Sequence, residues 1–200
     1  MKIINNIEAD LNVMPMDKDC IDSRHILYSD NLWQAHVWPS IEKIITSDEV
    51  STILDAGSGN GRRSKFFSNY VNQVVAVDVA DLQNLSYDKN HALGIDNVEY
   101  ISTNFMDLSE GKKYDAIYSE GFFYYLYQCY EEEAFKKILS LLREGGIFII
   151  IEGHWRTVNR SPKYNLEQLM SKYNCKIIHE APTVWGAGDN RLTIVQKNRK

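Results

Sequence analysis

The sequence predicts a doubly wound α/β domain, a mostly parallel seven-stranded sheet with helices on both faces. Three observations carry this. Short β-branched runs alternate with helical patterns from about residue 50 onward. The first run leads straight into a glycine-rich turn. Ile147–Ile151 is apolar throughout, as a strand covered on both faces must be.

The elements follow in order. Val50–Leu54 is the first strand, and Ser64–Val71 a helix with Phe66/Tyr70 and Phe67/Val71 at i, i+4. Val74–Val77 is the second strand. Asp81–Leu93 reads as a helix closed by Gly94. Val98–Ser102 and Asp115–Ser119 are the third and fourth strands. Glu131–Arg143 is the clearest helix, with Phe135, Ile138, Leu139 and Leu142 on one face. Its acidic start and basic end suit the helix dipole, and Gly145-Gly146 ends it. Ile147–Ile151 is the fifth strand. Lys176–His179 and Leu192–Gln196 close the sheet as an antiparallel pair. Before residue 50 the chain is polar, acidic and helical in character, and Pro39 breaks it into two short helices. Residues 1–50 therefore form a helical lid segment of the same domain, and residues 51–200 the ligand-binding part.

Composition narrows the function. Twenty-two Lys and Arg stand against 27 Asp and Glu, a net charge of -5. That balance disfavours duplex nucleic acid, which needs a basic face. Cys20, Cys129 and Cys175 are far apart and show no metal-ligand or disulfide spacing. No metal site is expected. No apolar run reaches the ~20 residues of a membrane span, and no secretory leader pattern opens the chain. The expectation is a cytoplasmic protein with no membrane association and an undefined oligomeric state.

The chemistry concentrates in Ile53-Leu54-Asp55-Ala56-Gly57-Ser58-Gly59-Asn60-Gly61-Arg62. Glycines spaced G-x-G-x-G let the backbone adopt positive φ and let a ligand come close. A ligand over this turn fits the rule that open α/β sheets bind at the carboxyl ends of their strands. The dinucleotide fingerprint wants its third glycine later, and the P-loop needs G-K-[ST]; neither is present. Asp78 ends the second strand about twenty residues after Gly57, the distance at which a ribose-binding carboxylate is found. Its rival reading is an ordinary acidic helix cap.

At this point the chain resembles the class I S-adenosylmethionine-dependent methyltransferases. LDAGSGNGR is similar to their first motif and VVAVD to the acidic strand end after it. NVEYISTNFMDL, KYDAIYSEGFF and LLREGGIFIIIE resemble the later segments, over about Ser51–Glu152. The resemblance implies a Rossmann-like methyltransferase fold and S-adenosyl-L-methionine as cofactor. It places Asp55, Gly57, Ser58 and Gly59 around the methionine part and Asp78 at the ribose. Asn104 stands where the family carries an aspartate beside the adenine amine, and an amide oxygen can still accept that bond. Phe105 would line the adenine pocket by side chain or backbone, and Asp107 is a rival for the acidic role. Ser119 and Glu120 would face the transferred methyl. Arg62 or Arg63 would reach the cofactor carboxylate.

Methyl transfer is a displacement in which the cofactor supplies the reactivity and the protein supplies placement. A hydroxyl acceptor also needs a base, and Glu120 and His154 are the candidates. His154 has a second reading as a strand cap, and Glu120 as a ligand contact or structural acceptor. The fourth segment lacks the proline pair of nucleic-acid amino methyltransferases, and Cys129 is misplaced for base C5 chemistry. It also resembles a segment of the protein arginine methyltransferases, but their second glutamate would fall at Cys129. Phe122, Phe123, Tyr124, Tyr125 and Tyr127, with Trp33, Trp38, Trp155, Tyr164 and Trp185, suit a flat or ring-shaped acceptor or plain packing. The reading is methyl transfer to a small molecule or small glycan, at oxygen. The alternatives are an RNA or protein methyltransferase and a non-catalytic cofactor-binding module.

Overall fold

The computed structural model describes residues 32–79, 95–153, 166–183 and 190–199. Seven strands form one sheet: β1 (Thr52–Ala56), β2 (Gln73–Asp78), β3 (Val98–Ser102), β4 (Tyr114–Glu120), β5 (Leu142–Gly153), β6 (Cys175–Thr183) and β7 (Asn190–Lys197). Their order is β3-β2-β1-β4-β5-β7-β6. The first five run parallel, and β7 is antiparallel to both β5 and β6. The strand order reverses between β1 and β4. That switch point brings the carboxyl ends of β1 and β4 together beside an open crevice.

Helices cover both faces. On one lie α1 (Trp38–Ile45) and α2 (Arg62–Phe67). Trp33, Trp38, Ile41, Ile45 and Phe67 pack there on Ile53, Val74, Tyr118 and Ile149. On the other lie α3 (Phe123–Tyr130), α4 (Glu132–Leu141) and α5 (Leu166–Lys172). Phe123, Phe135, Ile138 and Leu169 pack there on Leu54, Val75, Ile117 and Phe148. Alternate residues of each central strand feed the two cores, so the β1, β2 and β5 runs are apolar on both sides. No described helix is long and apolar enough to cross a membrane.

Several predicted bounds move, each for a tertiary reason. β1 starts at Thr52, where the Ser51 and Thr52 amides donate to the Asp115 carboxylate at 2.9 and 2.8 Å. It continues through Asp55 and Ala56 because these pair with β2 and β4. The helix expected from Ser64 begins at Arg62, behind Gly61 at φ 79°. The α4 helix ends at Leu141, not at the glycine pair. Leu142 already pairs with Tyr114, and the chain bulges before Ile147 joins Ala116. Gly145, at φ 76°, and Gly146 form that bulge, where a Gly146 Cβ would stand 3.1 Å from the Asp115 carbonyl oxygen.

The sequence reading missed two helices. The aromatic run after β4 is α3, and α5 precedes β6. The break at Pro39 is present: a helical turn over 32–36 stops at Val37, and α1 restarts with proline in its first turn. The closing antiparallel pair is present as β6 and β7. The helix expected over Asp81–Leu93 lies outside the described residues.

Candidate active site

The glycine-rich turn links β1 to α2, with Gly57, Gly59 and Gly61 at φ 71°, 54° and 79°. The Gly57 and Ser58 amides both donate to the Val77 carbonyl, at 2.9 and 3.0 Å, which clamps the turn onto the end of β2. The Gly59 amide donates to Asp78 Oδ2 at 2.9 Å. The predicted loop and the predicted ribose carboxylate are thus in direct contact. Three glycines serve three purposes. A Cβ on Gly57 would stand 2.4 Å from Phe122 Cγ, and one on Gly61 2.1 Å from the Tyr100 hydroxyl. A Cβ on Gly59 would meet nothing within 4 Å, and the same holds for Gly121 after β4, at φ 67°. Gly59 and Gly121 therefore border open space at the switch point.

Asp55 lies below that floor. It is 2% exposed, and its Oδ2 accepts a hydrogen bond from Ser64 Oγ of α2 at 2.5 Å. Burial, with the Glu120 charge in support, pushes its carboxyl up to about 7 against the opposing pull of Ser64 and Arg63. Register places Asp55 beside Ala76 and Tyr118, with Tyr100 next beyond Ala76, all on one face of the sheet. The Tyr100 hydroxyl and the Ser58 hydroxyl are buried without a hydrogen-bond partner. Burial, then the Asp55 charge, pushes the Tyr100 phenol up to about 12.

Glu120 ends β4. Arg63 grips it with two bonds, Nε to Oε2 at 2.7 Å and Nη2 to Oε1 at 3.1 Å. The Tyr118 hydroxyl also donates to Oε2. The pair is mostly withdrawn from water, with side chains 10% and 14% exposed. The expectation that Arg63 reaches for the cofactor carboxylate is thereby corrected: its guanidinium is committed to Glu120. Glu120 thus accepts three hydrogen bonds, which hold its carboxylate in place at the end of β4.

Other expected positions separate. Ser119 is fully buried in β4, and its Oγ accepts from the Phe123 amide at 3.0 Å, which ties the strand end to the first residue of α3. Asn104 caps the 3-10 turn Phe105–Asp107: Oδ1 accepts from the Met106 amide and Nδ2 donates to the Tyr130 hydroxyl, both at 3.0 Å. One lone pair of Oδ1 remains for a ligand. The Phe105 ring is 2% exposed and edge-on to Phe122 in the core, which leaves its backbone as the part able to line a pocket. Asp107 is exposed on the far side of that turn. Trp33 and Trp38 are core residues, stacked on each other and both edge-on to Phe66. Phe123 and Tyr124 are buried in α3. His154, Trp155, Tyr164 and Trp185 lie outside the described residues.

Tyr118 is the site-associated residue that sequence reasoning passed over. A signal existed: two positions before Glu120 on one strand, it must share that residue's face. Burial, together with the Glu120 charge, holds its phenol well above the ordinary range, so it is a neutral donor.

These residues fit an adenosyl cofactor. The loop offers a floor without side chains at Gly59, the Asp78 carboxylate ends the neighbouring strand, and an unpartnered Ser58 hydroxyl lies between.

Residues 53–146 match the family model described as a methyltransferase domain. No curated protein sequence matches the chain. Among solved structures, the N-methyltransferase NodS from Bradyrhizobium japonicum WM9, in complex with S-adenosylhomocysteine, is similar at 13% identity and a TM-score of 0.63, covering 97% of each chain. The 1,6-didemethyltoxoflavin-N1-methyltransferase of Burkholderia thailandensis is similar at 16% identity and a TM-score of 0.61, covering 84% of this chain and 82% of that one. An rRNA methylase from Streptococcus thermophilus is similar at 20% identity and a TM-score of 0.54, covering 86% and 95%. At such identities the structures speak for the fold, while the domain model covers the glycine loop, Asp78 and Glu120. Residues 53–146 form a methyltransferase domain, and with the fold this supports the class I S-adenosylmethionine-dependent methyltransferase family.

Proposed function

We propose that this enzyme methylates a small-molecule or small-glycan acceptor, at a hydroxyl oxygen, at the carboxyl ends of β1 and β4. One observation carries the reading: Gly59 and Gly121 border open space at the switch point, with Asp78 on one flank and Glu120 on the other.

S-adenosylmethionine, when bound, supplies an electrophilic methyl group. The chain's own residues do the rest. Asp78 holds the loop through Gly59 and accepts from ribose hydroxyls, each charge-assisted bond worth about 1.5–3 kcal/mol. Asn104 and the Phe105 backbone face the base. Asp55, Ser64 and Arg63 fix α2 behind the loop. Glu120 orients the acceptor by accepting a hydrogen bond from it, and His154 is left as the candidate that takes a hydroxyl proton. Acceptor placement about 3–3.5 Å from the methyl carbon accounts for most of the rate.

A second reading, an amine nitrogen acceptor, is favoured by one observation. Glu120 is tied up by Arg63 and Tyr118, and a neutral amine attacks without a base. Two of the similar solved structures are described as N-methyltransferases, one of them with bound 1,6-didemethyltoxoflavin. The net charge of -5 weighs against an RNA acceptor.

Calorimetry with S-adenosylmethionine, S-adenosylhomocysteine and NAD tests the cofactor. Micromolar binding of the first two and none of NAD is expected. A paired panel of small phenols, sugars and amines, followed by methyl incorporation, then separates oxygen from nitrogen. Turnover of RNA alone would overturn the small-molecule reading.

A further inference from the structure

Four side chains close a ring behind the acceptor end of the sheet. Trp33 Nε1 donates to the Tyr118 hydroxyl at 2.8 Å, and that hydroxyl donates to Glu120 Oε2. Arg63 donates to both Glu120 oxygens, and its Cζ lies 4.3 Å from the centroid of the Trp33 ring. The path returns to its start. Trp33 and Tyr118 are each 1% exposed, so water does not compete for these bonds.

The ring joins three separate parts of the chain. Trp33 belongs to the helical turn over 32–36, Tyr118 and Glu120 to β4, and Arg63 to α2. α2 begins where the glycine loop ends. It is pinned twice: by Ser64 to Asp55 on β1 and by Arg63 to Glu120 on β4. A displacement of the loop therefore moves the guanidinium that stacks on Trp33. A withdrawn ion pair is costly to desolvate, and apolar residues would seal this face at least as well. The ring offers directional connection, which apolar packing does not.

Resting on the methyltransferase reading above, we infer that Trp33 and Tyr118 are positioning residues of the methyl-transfer site, which couple the N-terminal helical turn to the glycine loop through Glu120 and Arg63. Oε2 of Glu120 takes two donors and Oε1 takes one. Of the roughly four lone-pair positions of a carboxylate, a single one on Oε1 is left for the acceptor's O–H or N–H. The same network thus fixes the direction from which an acceptor is held. Coupling is reciprocal: what cofactor loading does to the turn, seating of the turn does to cofactor affinity.

The four tryptophans allow a direct test on the full chain. In 15N-labelled protein the indole N–H signals are read during titration with S-adenosylhomocysteine, and Trp33→Phe assigns the Trp33 signal. The Trp33 indole is expected to shift with the same midpoint as the Gly59 amide. Tyr118→Phe should abolish the Trp33 response, keep the Gly59 response, and weaken binding about five-fold or more. Trp33→Phe keeps the stacked ring without its donor and should weaken binding similarly. The double variant should be no worse than either single, since one pathway is broken only once. A Gly59 amide that responds while Trp33 stays still would overturn the inference and leave the cofactor reading intact. Unchanged affinity in both variants would do the same. No response at any amide would overturn the cofactor reading and this inference with it.

Discussion

Gly57 and Phe122 meet so closely that no side chain fits between them. A Cβ on Gly57 would stand 2.4 Å from Cγ and 2.6 Å from Cβ of Phe122. The first residue of the glycine turn is thus fixed by the segment after β4, and the two strand ends at the switch point are locked together. The opposite condition holds at Gly59, where the same Cβ would enter open space.

Gly57→Ala and Gly59→Ala should therefore fail differently. Gly57→Ala meets the Phe122 ring at a positive φ, and a loss of about 2–4 kcal/mol of stability is expected from strain and overpacking. Gly59→Ala carries only the strain, about 1–2 kcal/mol, but obstructs the ligand floor. Urea melts and calorimetry with S-adenosylhomocysteine check both. Equal losses of affinity per unit of lost stability would contradict the division of roles.

Asp78→Ala removes both the proposed ribose acceptor and the anchor of the Gly59 amide. Cofactor affinity should fall at least about ten-fold, the loss of one charge-assisted bond. Asp78→Asn keeps an oxygen for Gly59, so it should preserve loop geometry and lose less. Calorimetric affinities of the two variants give the comparison. Full affinity in Asp78→Ala would remove this residue from the cofactor site.

Arg63→Ala strands the Glu120 carboxylate in a site with little water. A cost of about 3–5 kcal/mol is expected by analogy with buried pairs, and Glu120→Ala should cost about as much by stranding the guanidinium. Arg63→Met with Glu120→Gln removes both charges and should recover much of the stability but not the activity. Denaturant midpoints and methyl incorporation, measured side by side, separate these contributions.

Asp55 makes stability depend on pH. Its carboxyl titrates near 3.8 in an unfolded chain and is raised to about 7 in the fold, chiefly by burial. A raised folded value means that the folded state holds this proton more tightly. The contribution is fully present below about pH 4 and is lost as pH rises through about 7. Asp55→Asn, which can still accept from Ser64, should flatten the profile between these limits and raise stability at pH 8, by an amount on the order of a few kcal/mol. Thermal melts of both proteins from pH 4 to 8 measure it. Parallel profiles would place the proton elsewhere.

Local pattern made much of this molecule legible. The β3 bounds Val98–Ser102 are as predicted, because its run is closed on both sides by polar turn residues. The glycine turn and Asp78 could be read together because their chemistry is contiguous: a strand, a bend that needs positive φ, and a carboxylate one strand later. α3 was hidden because Phe122–Tyr127 is aromatic on every face, so no helical stripe shows, and it is helical only because Phe123 and Leu126 find the sheet. The end of α4 was misplaced because nothing near Leu142 announces that Tyr114, far upstream, claims it for the sheet.

The sequence by itself determined the α/β alternation, the glycine-rich turn and the carboxylate that ends the next strand, because periodicity and backbone freedom act over a few residues. The tertiary structure decided which side chains remain available for chemistry. It set Arg63 against Glu120 across 57 positions, tied the buried Ser119 hydroxyl to the first residue of α3, and raised the Asp55 carboxyl by removing its water. Ion pairing and desolvation depend on what lies within a few ångströms in space, and the chain order near each residue does not contain that information.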